Sequence, residues 1–402
     1  MVYNFDERID RHGTCSMKWD ISEEMSRSWG NTAEWPKDPI LYVSTADMDF
    51  RCPPCIKPAM QKIVDENLYG YYYLDPQIST DYYDALIGWN ERRYGWHIRR
   101  EDIIYIDGTI NAVATTVKAL TSPEDTVLLS PPVYSPFYVI VKDMTGRKME
   151  TSRLQNNDGY YTINWEDLES KLKRPEVKAY IHCSPQNPTG RVWTREELTR
   201  IYDLCTENGV VLIVDEIHGD LTRKDHPFIP AGSVVDGKNL VVCSGASKTF
   251  NIAGLHASHI IVSNPEYREK IQAQLDWNAP NPFTIAAEIA AYNEGEAWLE
   301  ELRDYLDGNM DFAVSFLHEK MPKVKVRRPE GTYILWMDFS AYGLTAEQIN
   351  ERVFTRAAIG GEGGTEFDPE EGASFVRFCL ASPRSFVQEV FRRLESAFAD
   401  LA

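Results

Sequence analysis

The chain is poor in cysteine, in long apolar runs and in basic charge. Seven cysteines are scattered over 402 residues. An odd number at that density makes no disulfide framework and fits a reducing cytoplasm. No apolar run approaches the ~18 residues that span a bilayer. The first residues, Met1 to Arg8, are polar and charged and lack the apolar stretch of a signal peptide. Lysine and arginine number 42 against 61 acidic side chains, a net charge of −19. That balance argues against a nucleic-acid surface, where phosphates need cations, and weakly against anionic membranes. A small anion can still bind locally through amides or a single cation. Metal-ligand patterns are missing too. Cys52-Pro-Pro-Cys55 has the spacing of half a zinc site, but no second pair follows, and it reads as the proline-stiffened start of a helix. His256 and His259 have no convincing partners at ligand spacing.

What is present is the composition of a folded protein. Hydrophobic residues make up 43% and charged residues 26%, which excludes disorder as the overall state. The length predicts two or three domains. Apolar, β-branched runs at 103–106, 126–130, 177–182, 210–215, 240–244 and 258–262 alternate with amphipathic stretches at 111–120, 194–208 and 265–276. Near-continuous apolar strands between helices predict a parallel sheet covered on both faces. Thr194 and Glu197 have the spacing of a capping box. After Pro280 the texture changes. A long helical zone at 283–320 is followed by strands at 323–328 and 333–339 and a helix near 345–357. A Gly-rich loop at 360–364, a strand at 375–380 and a closing helix from 383 complete the chain. This predicts a large α/β domain over residues 46–285. A smaller α+β domain is expected from residues 1–45 and 286–402, with the 283–320 helix linking the two.

Four features fall at the C-terminal ends of predicted strands, where open α/β sheets bind ligands. Asp107-Gly-Thr-Ile-Asn111 is a strand-to-helix turn whose amides suit an anion. The SPQNPTG stretch at 184–190 fixes an unusual loop and presents the Asn187 amide. Asp215 ends an apolar strand, where a carboxylate is costly unless it meets a cation. Lys248 follows another buried strand among small residues, a setting that lowers an amine's basicity and makes it a nucleophile. Each alone has a plain structural explanation, such as a turn, an ion pair or a surface lysine. An aldehyde cofactor with a phosphate and a pyridine nitrogen needs all four kinds of group together.

With these blocks the chain resembles the fold-type-I pyridoxal-phosphate enzymes, through SPQNPTG, VDEIHGDL and SKTFNIAGL. Further blocks (FDERIDRHGTCSMKWD, ADMDFRCPPCI, LYGYYY, NERRYGW, PEGTYILWMDFS and SFVRFCLASPRS) resemble the MalY/PatB branch. That branch comprises cystathionine β-lyases and related cysteine-S-conjugate β-lyases. The blocks span about residues 5–390. The resemblance implies an aspartate-aminotransferase-like α/β fold, pyridoxal 5'-phosphate as cofactor, and a cytoplasmic homodimer with shared active sites.

Residue by residue, it implies that Lys248 is the Schiff-base lysine and proton carrier. Asp215 would pair with the pyridinium nitrogen. Asn187 would donate to the ring hydroxyl oxygen, with His218 near the same edge, and Tyr134 would stack on the ring. Gly108, Thr109 and Ile110 would give the phosphate amides, and Ser247 a hydroxyl. Tyr71 would reach the phosphate of the neighbouring subunit. Arg377 would grip the substrate α-carboxylate, although a salt bridge within the protein is its rival role. The stretch from Asp47 to Phe50 would help choose the substrate side chain. Gly245 stands where many relatives carry Ser, and His256 where many transaminases carry Arg. The latter tilts the reading away from a standard aminotransferase. The segment 360–364 is richer in glycine and acid than the resemblance implies and is expected to shape the substrate entrance. The implied reaction is β-elimination of a thiol from a small amino acid, giving pyruvate and ammonia. Amino transfer on the same scaffold, or an added regulatory binding role, are the alternatives.

Overall fold

The computed structural model describes residues 2–28, 30–275 and 279–401. Seven strands build the central sheet: β1 (Ile103–Asp107), β2 (Thr126–Leu129), β3 (Lys148–Thr151), β4 (Val177–Cys183), β5 (Val211–Asp215), β6 (Leu240–Ser244) and β7 (Ala257–Ile261). Their order across the sheet is β1-β7-β6-β5-β4-β2-β3. Strands β2 to β6 pair in parallel, and β7 runs antiparallel between β1 and β6. Alternate residues of the same strands feed two separate apolar clusters. Ile103, Tyr105, Leu212 and Val242 pack in one; Ile104, Ile106, Ile213 and Val241 pack in the other. Burial on both faces explains why these strands read as unbroken apolar runs. Edge strand β3, Lys-Met-Glu-Thr, is partly exposed and carries no such signature.

The helix Thr109–Leu120 begins two residues before its expected start, immediately after Gly108. In the helix Arg195–Glu207 the capping box forms as expected. Thr194 Oγ1 accepts from the Glu197 amide at 3.2 Å, and the Glu197 carboxylate accepts from the Thr194 amide at 2.8 Å. The Cys52–Cys55 segment leads into a helix, Ile56–Glu66. The stretch expected at 265–276 is helical over Pro265–Gln272, and Asp276 lies outside the described residues.

The zone 283–320 is two helices and not one: α1 (Pro282–Glu294) and α2 (Glu296–Lys320), parted at Gly295. A Cβ at Gly295 would lie 2.5 Å from the Ala291 carbonyl oxygen and 2.7 Å from the Phe250 ring, so the bend against Phe250 needs glycine. A second, antiparallel sheet follows, built from β8 (Lys325–Val326), β9 (Ile334–Asp338), β10 (Glu362–Gly363) and β11 (Phe375–Cys379) in the order β8-β9-β11-β10. The strand expected at 323–328 therefore shrinks to two residues.

The Gly-rich segment is not a free loop. Ile359–Gly360 pairs in parallel with Leu41–Tyr42, and Glu362–Gly363 is the edge strand β10. Close packing accounts for three of its glycines, Gly360, Gly361 and Gly364. A Cβ on Gly360 would sit 2.3 Å from the Tyr42 ring, and one on Gly361 would sit 2.5 Å from the Phe378 ring. The helix expected at 345–357 splits into Ala346–Asn350 and a wider-wound turn, Glu351–Arg356. The closing helix, Arg384–Phe398, packs Phe391 against Phe312 and Phe316 of α2. The first 45 residues, expected to be irregular, hold a short helix, Glu23–Ser28, and the two-residue strand. Among the described residues no helix is long and apolar enough to cross a membrane.

Candidate active site

Strands β1, β4, β5 and β6 end along one edge of the central sheet, at Asp107, Cys183, Asp215 and Ser244. Above that edge lies a cavity of about 360 Å³. Gly108, Thr109 and Ile110 line one part of it, at the N-terminus of the helix Thr109–Leu120, with His256 alongside. Gly108 has φ +82°, a left-handed value that favours glycine, and its amide donates to the His256 carbonyl at 3.0 Å. The free first-turn amides of that helix make this the natural anion end of the cavity. Ser247 also lines it, with its hydroxyl donating to the Ala257 carbonyl at 2.8 Å. The departure at Gly245 has a packing cause, since a Cβ there would lie 2.3 Å from the same carbonyl oxygen.

Asp215 lines the cavity and is 3% exposed. Burial pushes its carboxyl up to about 6, against the opposing pull of the Ile217 amide, which donates to Oδ1 at 3.1 Å, and of Lys248. A carboxylate so placed is poised to accept a cationic ring nitrogen. His218 lines the same cavity, and burial, with the Lys248 and Arg377 charges, pushes its imidazole down to about 3. Its buried Nδ1 has no partner among the described residues. Tyr134 and Asn187 complete the wall. Burial pushes the Tyr134 phenol up to about 12, so it stays protonated.

Lys248 enters from the loop after β6. Burial lowers its amine, with Arg377 adding to the effect; Cys379, Asp47 and Asp215 oppose it. Its Nζ donates to the Ala46 carbonyl at 2.7 Å, and Tyr333 donates its hydroxyl to the same oxygen at 3.1 Å. Ala46 was not legible in the sequence, because a backbone acceptor leaves no side-chain signature. The stretch 46–50 is itself tied down. Asn251 receives the Met48 amide at 3.1 Å and donates to the Met48 and Phe50 carbonyls at 3.1 and 2.8 Å. Asp47 does not line the cavity; its carboxylate is held by Arg11 at 2.7 Å. The expected substrate-facing role of Asp47 therefore rests on its charge near Lys248 and not on contact.

Arg377, on β11, also stands outside the cavity lining but against Asn187, whose Oδ1 accepts from Nη1 at 3.2 Å. It is 2% exposed, lies 4.7 Å over the Phe367 ring, and donates from Nη2 to the Ser44 carbonyl at 2.7 Å. Its guanidinium also meets the carboxylate of Glu362. The rival role weighed for Arg377, a salt bridge within the protein, is thus present: β10 places an acid against it, directly across the strand pair. Tyr71 is 92% exposed and is not part of this chain's cavity.

The donor set suits pyridoxal 5'-phosphate. It offers an amine of lowered basicity, a buried carboxylate, an aromatic wall, a helix N-terminus and an unpartnered buried ring nitrogen. A large, mostly parallel sheet bearing a lysine and an aspartate at its strand ends defines a class of protein, and comparison with known families names it. The chain belongs to the aminotransferase class I and II family, whose model matches residues 39–394. Within that class it is similar to Cystathionine beta-lyase PatB of Bacillus subtilis (strain 168), 39% identical over 98% of this chain and 100% of the relative. Its fold matches the crystal structure of cystalysin from Treponema denticola, which contains a pyridoxal 5'-phosphate cofactor. The TM-score is 0.91, with 32% identity and 100% of both chains covered. It also matches the PLP-bound C-S lyase from Staphylococcus hominis with a TM-score of 0.89 and 30% identity, covering 99% of each chain. The aspartate-aminotransferase-like α/β architecture expected from sequence is therefore the one found.

Proposed function

We propose that the chain is a pyridoxal-phosphate-dependent carbon–sulfur β-lyase, splitting cystathionine or related cysteine S-conjugates into pyruvate, ammonia and a thiol. The observation that carries this reading is a single cavity holding the Lys248 amine, the buried Asp215 carboxylate and a helix N-terminus. Relatives matched over their full length and named as cystathionine β-lyase or C-S lyase support the reaction type. When bound, the cofactor supplies an aldehyde for the substrate amine and a ring that accepts the electron pair left by the α-proton.

The chain's own residues would do the rest. Lys248 Nζ, of lowered basicity, would take up the α-proton as general base. Asp215 would keep the ring nitrogen charged, Asn187 would meet the ring hydroxyl with His218 beside it, and Tyr134 would cover the ring face. The free Thr109 and Ile110 amides would hold the phosphate, with Gly108 allowing its close approach while its own amide serves His256; Ser247 would join by turning its hydroxyl away from Ala257, and Arg377 would orient the substrate carboxylate. The net reaction consumes one water and releases thiol, pyruvate and ammonia.

We assign residues 46–285 to the cofactor-binding domain and residues 1–45 with 286–402 to the second. We also place the protein in the cytoplasm as a homodimer. Seven unpaired cysteines support a reducing compartment. Exposure of Tyr69, Tyr71 and Tyr73 supports a second copy covering that surface.

The test is direct. Purified protein with pyridoxal 5'-phosphate is incubated with cystathionine and with S-alkyl-cysteines, and pyruvate and thiol are assayed. Equimolar pyruvate and thiol are expected, falling by roughly 10²–10⁴-fold in Lys248→Ala, the range a positioned proton-transfer group supplies. Amino transfer that requires added keto acid, without pyruvate, would overturn the reading.

A further inference from the structure

Arg377 and Glu362 are register partners on β11 and β10, so their side chains leave the same face of the sheet. The pairing engages the part of the guanidinium that a ligand would need. A carboxylate gripped at two points uses either the Nε/Nη2 edge or the Nη1/Nη2 edge. Both edges run through Nη2, which donates to the Ser44 carbonyl at 2.7 Å and is ion-paired with the Glu362 carboxylate. Nε is buried and has no partner among the described residues, so one donor of the first edge stands ready. The second becomes available only when Glu362 lets go.

Glu362 is held in place by packing. The flanking glycines press β10 against neighbours: Gly361 onto the Phe378 ring and Gly364 onto the Gly372 carbonyl, where a Cβ would come within 2.5 and 2.3 Å. The strand cannot swing away without losing these contacts. Release of Arg377 is therefore a movement of the Glu362 side chain or a change in its charge.

We propose that Glu362 is a resident counter-ion that competes with the substrate α-carboxylate for Arg377, and so sets the enzyme's affinity for amino-acid carboxylates. This rests on Arg377 being the carboxylate site in the reading above. The groups acting on Glu362 come from several elements. Arg377 on β11 and Lys248 after β6 favour its ionised form; Glu366 disfavours it. The Tyr134 phenol and the Cys379 thiol also lie within electrostatic reach. Burial is the largest influence and pushes the carboxyl up to about 7. Below that value Glu362 is neutral and yields Nη2. Above it the carboxylate is charged and holds on. A second anion arriving at the same guanidinium favours the protonated form, so substrate binding draws a proton onto Glu362.

The probe is 3-(methylthio)propionate, a carboxylate with no amine, titrated calorimetrically into the cofactor-loaded protein at pH 6 and pH 8. At pH 8 about one molecule in ten has Glu362 neutral, so wild type should bind about tenfold more weakly than at pH 6. Glu362→Gln should bind with the pH 6 affinity at both values, and therefore about tenfold more tightly than wild type at pH 8. Arg377→Gln should bind weakly throughout. If Arg377→Gln binds as well as wild type, Arg377 is not the carboxylate site and the underlying reading fails. If Arg377→Gln is weak but Glu362→Gln is no tighter than wild type at pH 8, Glu362 only anchors Arg377 and the competition is overturned. The wild-type pH series decides by itself should the Gln variant not fold, since equal affinity at both pH values also overturns the proposal.

Discussion

Glu288 lies on α1, fully buried, with neither carboxylate oxygen partnered among the described residues. Burial pushes it up to about 8, and Glu216, just past the end of β5, is also pushed up to about 8. Both keep their protons in the folded chain and lose them in the unfolded one across the interval from about 4.5 to 8. Stability therefore falls as pH rises through that interval. His182, His218 and His259 act on the acid side. Burial pushes each down to about 3, so the unfolded chain takes up protons below 6.5 that the folded chain refuses. The two sets oppose one another between about 4.5 and 6.5. Only the carboxyls act above that. The expected melting temperature is flat near pH 5–6.5 and declines towards pH 8.5, and Glu288→Gln should recover part of the decline by a few degrees. Thermal unfolding over this range, with both proteins, checks it; an equal decline in the variant would count against Glu288. At this scale the sequence was legible where chemistry and motif coincide, as at Lys248, Asp215 and Asn187. Glu362 was not legible as a partner of Arg377. Fifteen residues separate them along the chain, and only strand register makes them neighbours.

The strands of the central sheet were legible as elements because two covered faces force unbroken apolar runs. The edge strand β3 escaped because it has one open side, and the break at Gly295 escaped because a lone glycine inside a helical pattern is a weak signal. The connection between the N-terminal segment and the stretch 46–50 shows how elements are coupled here. Lys18 is 0% exposed and bonds Asp49 at 2.6 Å; Trp19 and Ser382 donate to the same carboxylate at 2.8 and 2.7 Å. The Lys18 charge and these hydrogen bonds hold Asp49 below the usual carboxylate range despite its burial. The same stretch carries the Ala46 carbonyl that receives Lys248. Asp49→Ala strands a buried ammonium and should cost about 3–5 kcal/mol, the penalty for removing one partner of a buried pair. Denaturant unfolding measures that loss. Asp49→Asn, which keeps the shape and part of the hydrogen bonding, should lose less.

On the scale of the whole molecule, the exposed run around Tyr71 has a testable consequence. If two copies share their sites, a Lys248→Ala subunit and a Tyr71→Phe subunit should complement. A mixed dimer of the two then contains one site with both native residues. Activity above that of either parent is expected in co-purified mixtures; confirmed mixed dimers with no rescue would argue against a shared site. The net charge of −19 bears on none of this, since any anion here would be met locally, by helix amides and by one guanidinium.

The pairing of Leu41–Tyr42 with Ile359–Gly360 also sets a timetable. A ribosome adding roughly 5–20 residues per second needs tens of seconds to travel from one partner to the other. Throughout that time the first-made segment has no strand to join. The stretch 46–50, and with it the oxygen that receives the lysine, reaches its final anchors only when Ala381 and Ser382 have emerged. The earlier-made of these partners is thus completed only when the later-made one arrives, and the oxygen that receives the lysine waits with it for its last anchors.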